Sequence, residues 1–152
     1  MYKIPKELNG SIWHSTSTKN WQLIKETGAI CTEPPEECLI TRSRKNAEPF
    51  IQSLKGISLF DLRKSNATKN KAVFRFIPGN SNWNGTVWLE IDIESIKNNF
   101  WSAENATNHW RESDFRNFIP HAEGACFSNI PLSAIKTILI YERNKASFRK
   151  YN

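Results

Sequence analysis

The chain has 152 residues, of which 39% are hydrophobic, and a formal charge of +6 at pH 7. This length suits one domain with a core that needs no disulfide or metal, and the hydrophobic content excludes a disordered chain. No apolar run reaches membrane-spanning length, and the basic balance favours an anionic partner, either nucleic acid or a phosphorylated small molecule.

Residues 1–7, Met-Tyr-Lys-Ile-Pro-Lys-Glu, do not read as a signal peptide. Cys31, Cys38 and Cys126 are odd in number and lack metal-ligand spacing. They fit free thiols in a reducing compartment, and a cytoplasmic location is expected. Ile12 to Ser15 reads as a strand. Ser17 or Thr18 can cap a helix over 19–26, stopped by Gly28, with Trp21, Leu23, Ile24 and Thr27 as its buried stripe. Pro34 and Pro35 mark a loop, 39–45 is strand or loop, and 48–54 is a short helix ended by Gly56.

Ile57 to Leu62 alternates as a strand does. Residues 63–71 read as a basic, Asn-rich loop, 72–77 as a strand closed by Pro78-Gly79, and 80–85 as a turn. The clearest strand is 86–93, followed by a short helix over 94–100. The polar and aromatic segment 105–118 has no firm assignment. Residues 124–127 and 137–141 read as strands around a helical turn at 131–135. Many short strands with a few small helices make a single α+β domain over 1–152.

Glu123 stands at the head of a strand among Ala122, Gly124 and Ala125, small neighbours that leave room for a ligand. A carboxylate so placed can bind a ribose hydroxyl and stabilise an oxocarbenium-like centre. His14 and Thr16 alternate along a strand, so their side chains share a face where they can hold hydroxyl groups. Arg42, Arg44 and Arg63 are candidates for gripping a pyrophosphate, since guanidinium pairs bidentately with phosphate oxygens. Phe60 can stack on a flat heterocycle, and Ser58 shares its face. The loop 63–71 and the C-terminal Arg143, Lys145, Arg149 and Lys150, interleaved with Phe148 and Tyr151, are the best nucleic-acid surfaces. Each of these residues also has an ordinary structural reading: a solvated Glu, a hydrogen-bonded strand His, a core Phe, a solvated basic loop or tail. No metal-binding, Walker, dinucleotide-fingerprint or nucleophile-elbow pattern is present.

His14-Ser15-Thr16, continued by Asn20, Leu23-Ile24 and Gly28, resembles the His-x-Thr opening of the ADP-ribosyltransferase superfamily, most of all its DNA-targeting toxins. Ala122-Glu123, followed by Ile130-Pro131, Ile135 and Ile138, is similar to that family's ending, in which the Glu is catalytic. The resemblance implies a split β-sheet core with small flanking helices that grips NAD as co-substrate. It implies cofactor contacts from His14, Ser15, Thr16, Asn20, Ser58, Phe60 and Arg44, and catalytic roles for Glu123, His14 and Arg42. It also implies transfer of ADP-ribose to a macromolecule, with nucleic acid favoured by the basic surface, and leaves room for a neutralising partner protein. Where the branch places a Tyr in its second motif, this chain has none between Tyr2 and Tyr141. The alternatives are an RNA 2′-phosphotransferase, which shares the fold and a similar opening, and an inactive binding module for nucleic acid or an acidic protein.

Overall fold

The structure, a computed structural model, describes residues 3–34, 48–64, 67–83 and 85–151. Chain order begins with β1 (Ile12–Ser17), α1 (Thr18–Thr27), β2 (Ala29–Ile30), α2 (Phe50–Ser53), β3 (Ile57–Asp61) and α3 (Ala67–Phe74). It continues with β4 (Thr86–Ile91), α4 (Ile93–Ile96), β5 (Phe100–Trp101), α5 (Ala103–Arg111) and β6 (Glu123–Cys126). It closes with β7 (Ile130–Pro131), β8 (Ile135–Glu142) and β9 (Ser147–Lys150). Seven strands form one antiparallel sheet in the order β5-β6-β3-β1-β4-β8-β9, and β2 pairs with β7 apart from it. This is an α+β architecture.

The strand β4 is buried along nearly its whole length because helices and loops cover both faces of the sheet. Val87, Leu89 and Ile91 enter one apolar layer with Ile12, Leu59, Ile140 and the α1 residues Trp21 and Ile24. Trp88 enters the opposite layer with Trp13, Leu139, Val73 and Ile77. A third cluster, around Phe50, Ile51, Ala106 and Phe118, covers Ala125. Helix α1 begins as its sequence expects: the Ser17 hydroxyl accepts from the Asn20 amide at 3.0 Å. It ends at Gly28, whose φ of 88° suits a residue without a Cβ.

The sheet forks. β1 stays in register with β4 from Trp13 to Ser17, and β3 with β6 from Ile57 to Phe60. Between β1 and β3 the ladder holds only Ile12–Asp61 and Trp13–Phe60. Beyond those two rungs the facing edges of β1 and β3 part, leaving a wedge between two halves of the sheet.

Several expectations change. Residues 72–77 are not a strand: α3 runs to Phe74 and a turn follows over 75–78. Val73 and Ile77 are the buried pair, four residues apart, while Phe74 and Phe76 are exposed, and that spacing belongs to a helical turn. Much of the basic segment 63–71 is the first part of the same helix. The C-terminal segment is not a free tail but the edge strand β9, paired to β8 from Ser147 to Lys150. The unassigned stretch 105–118 supplies most of α5, which starts at a Ser102 cap. Of the α1 stripe, Trp21 and Ile24 are buried, whereas Thr27 is exposed. Among the described residues, no helix is long and apolar enough to cross a membrane.

Candidate active site

Glu123 opens β6 opposite Phe60, which is in turn opposite Trp13 on β1. The three residues form one cross-strand row. Ser58 is opposite Ala125, so its side chain shares the face of Glu123 and lies diagonally across from it. The Ser58 hydroxyl donates to Glu123 Oε2 at 2.7 Å, and the Ile119 amide donates to Oε1 at 3.1 Å. Glu123 is 7% exposed, whereas Ser58 is exposed, so the carboxyl is reached past the Ser58 hydroxyl. No cation is recorded against Glu123 among the described residues. Burial pushes its pKa up from 4.5 to about 7, against the lowering effect of the Ser58 and Ile119 hydrogen bonds.

His14 is half-buried, and its Nδ1 lies 3.0 Å from the Ser58 carbonyl oxygen. The bond crosses the sheet where the β1–β3 ladder has ended. A carbonyl only accepts, so Nδ1 carries the proton in this contact. Burial lowers the His14 pKa, opposed by the Ser58 carbonyl, which keeps the neutral imidazole dominant near pH 7. Nε2 of that tautomer is an acceptor. Ser58 therefore links the two candidate residues, its carbonyl to His14 and its hydroxyl to Glu123.

The remaining candidates divide. Phe60 is half-buried on the Glu123 face, with its ring centroid 5.2 Å from Trp88. Ser15 alternates with Trp13 onto that face. Thr16 does share a face with His14, as expected, but its register partner is Val87 and it is 6% exposed within the opposite layer. Asn20 lies in the first turn of α1, half-buried. Arg42 and Arg44 lie outside the described residues, as does Cys38. Cys31 and Cys126 are free thiols.

Arg63 does not offer its guanidinium to a pyrophosphate. It holds Asp61 through Nε at 2.8 Å and Nη2 at 2.9 Å, and lies over the Phe100 ring. The small residues around Glu123 have packing partners rather than open space. Ala122 and Ala125 are fully buried in apolar clusters. A Cβ at Gly124 would stand 2.6 Å from the Trp101 carbonyl oxygen, so the glycine admits β5, not a ligand.

Two site features escaped sequence reasoning. One is the Ile119 amide, delivered by a loop with no readable periodicity. The other is the double role of Ser58, whose only signal was its shared face with Phe60. Among the described residues, no group of His, Cys, Asp and Glu has the makings of a metal site.

Comparison of the chain with protein-family models, curated proteins and solved structures finds no significant match.

Proposed function

We propose that the protein is an NAD-dependent ADP-ribosyltransferase and that Glu123 is its central catalytic residue. The observation that carries this reading is a buried carboxyl with no cation against it among the described residues, beside a wedge between two half-sheets. A carboxylate in that setting is aimed at positive charge that develops during a reaction, in a place where water screens it poorly. Cleavage of NAD creates such charge. The bond from ribose C1′ to the nicotinamide nitrogen breaks, nicotinamide leaves as a neutral molecule with the bonding pair, and C1′ becomes oxocarbenium-like. Attack on C1′ by a base or side chain of the target, with loss of its proton, completes the transfer.

The residues present suit the nicotinamide-ribose half of NAD. Glu123 accepts from a ribose hydroxyl and stabilises C1′, Phe60 on the same face offers an aromatic surface to the nicotinamide ring, and His14, which alternates onto the opposite face of β1, meets the site across the gap between β1 and β3, where the Ser58 carbonyl holds it. Ser58 orients the carboxyl and lowers its pKa, which keeps a larger ionised fraction at neutral pH. Because ionised Glu123 is the active form, turnover rises with pH through about 7. The sequence resemblance supports the same chemistry, and the basic balance favours nucleic acid as the acceptor.

Release of nicotinamide from NAD by the purified protein tests this reading, first alone and then with single-stranded DNA, duplex DNA, RNA or a protein extract. The expected result is release that one target class accelerates and that Glu123→Gln lowers about 100-fold or more while NAD still binds. Absence of release under every condition would discard the transferase in favour of a 2′-phosphotransferase or a binding module.

A further inference from the structure

Glu123 Oε1 accepts from the Ile119 amide, and the Glu123 amide in turn donates to the Ile119 carbonyl at 3.0 Å. Both bonds require the chain to turn back sharply over 120–122. His121 stands in that turn at a φ of 64°, a left-handed conformation that a residue with a Cβ holds only where its surroundings fix it. No glycine within 119–123 offers that conformation freely.

What fixes the turn comes from α5. The His121 amide donates to Thr107 Oγ1 at 2.9 Å, and the Thr107 hydroxyl donates to the Ala103 carbonyl at 2.6 Å. Thr107 is fully buried. A hydroxyl has one proton, and with that proton given to Ala103 its lone pairs are left for the incoming amide. The other buried residues of α5, Ala103 and Ala106, offer no side-chain acceptor. At the surface the His121 ring adds a second tie: Nδ1 lies 3.1 and 3.3 Å from the Glu104 carboxylate oxygens, and Nε2 lies 3.5 Å from Arg111 Nη2. The Glu104 side chain is 55% exposed, so water screens this tie and the buried amide bond is the stronger.

We propose that Thr107 is a positioning residue for Glu123: it pins the His121 amide, and the turn so pinned brings the Ile119 amide to the carboxyl. Thr107 acts through the backbone of the turn rather than on the carboxyl. Other titratable side chains on the surrounding elements are engaged elsewhere. Asp61 on β3 is paired with Arg63, His14 meets the Ser58 carbonyl, Glu104 and Arg111 meet His121, and His109 stacks on Trp101. Lys71 on α3 and Arg75 after it are exposed.

The pinning is measured without NAD, whereas its effect on turnover rests on the transferase reading, so the two fail separately. The full chain is titrated by NMR, following the Glu123 side-chain carboxyl carbon, assigned by its absence in Glu123→Gln, and the Ile119 amide proton. In wild type the Ile119 amide shifts with the same midpoint as the carboxyl, because it donates to Oε1. Thr107→Val, which keeps the shape and removes the hydroxyl, raises the carboxyl midpoint by about one unit and uncouples the Ile119 amide from it. Thr107→Ser keeps the hydroxyl and the wild-type behaviour. Should Thr107→Val lose its thermal transition, substitutions at the half-buried His121 decide the matter. A β-branched residue resists a φ of 64°, so His121→Val raises the midpoint, whereas His121→Gly accepts that φ, keeps its amide on Thr107 and leaves the midpoint in place. In nicotinamide release, folded Thr107→Val is severalfold slower at pH 7 and recovers in alkaline buffer. A wild-type midpoint in folded Thr107→Val, or in His121→Val where that variant decides, overturns the proposal. So does a shift in Thr107→Ser as large as in Thr107→Val, or an equal shift in His121→Val and His121→Gly.

Discussion

Asp61 and Glu123 are both buried carboxyls on neighbouring strands, 4% and 7% exposed, and their surroundings drive them in opposite directions. Burial raises the pKa of each. At Asp61 that push is overcome by the Arg63 hydrogen bonds, the Ala103 amide at 3.0 Å and the guanidinium charge, and the carboxyl is held below its ordinary range. At Glu123 one hydroxyl and one amide do not overcome it, and the pKa stands at about 7. Asp61 is a completed ion pair that ties β3 to the start of α5 and gives a substrate little to interact with. Glu123 carries a desolvation cost that no cation among the described residues offsets. The two corners differ in counter-charge: Asp61 has its guanidinium, whereas Glu123 has none among the described residues.

The largest effect expected from this contrast is on stability. A group whose folded-state pKa is raised binds a proton more readily in the folded chain, so the folded state loses stability as pH rises from the unfolded pKa through the folded one. The shift from 4.5 to about 7 corresponds to about 3 kcal/mol. Glu123→Gln, which removes the charge and keeps the size, is therefore expected to match wild type near pH 4 and exceed it above pH 8 by about that amount. Urea titrations at the two pH values measure this, and parallel pH profiles for the two proteins would break the contrast.

Asp61 carries the opposite sign. Its lowered pKa stabilises the fold above the unfolded value, and that contribution is lost as pH falls through the folded one. Asp61→Asn is expected to cost about 2 kcal/mol at pH 7, a deficit that narrows in acid, and to leave nicotinamide release per folded molecule unchanged. Loss of turnover in a fully folded Asp61→Asn protein would move Asp61 into the chemistry.

The smallest effect sharpens the comparison. Ser58→Ala removes a hydrogen bond that lowers the Glu123 pKa, so the pH midpoint of turnover is expected to move up by about one unit, the worth of one hydrogen bond to a charged group. Activity then falls severalfold at pH 7 and recovers in alkaline buffer. A loss equal at all pH values would make Ser58 a substrate contact rather than a positioning residue.

How much of this was legible in the sequence follows from how local each signal is. The Ser17 cap, the Gly28 stop and the β3, β4 and β8 strands are set by residues within a few positions, and their sequence reading agrees with the structure. The stretch 72–77 misled because Val73, Phe74, Phe76 and Ile77 fit an alternating and a helical pattern about equally; the choice fell to burial of Val73 and Ile77 against Trp13 and Trp88, a long-range fact. Strand β9 was missed because its Lys and Arg resemble a solvated tail, although basic side chains also suit an edge strand. Glu123, His14, Ser58 and Phe60 were each singled out by type and position. That Ser58 joins His14 to Glu123 required the register of three strands, which no local spacing encodes. The small residues near Glu123 were read as space for a ligand, whereas Gly124 is set by the approach of the Trp101 carbonyl.

The central claim is that ionised Glu123 drives loss of nicotinamide from NAD, and the pH profile of that release in wild type and Glu123→Gln tests it most directly. The account predicts wild-type release that climbs through about pH 7 and a variant about 100-fold slower or more, with no such climb. A variant that releases nicotinamide at the wild-type rate and follows the same profile would contradict it.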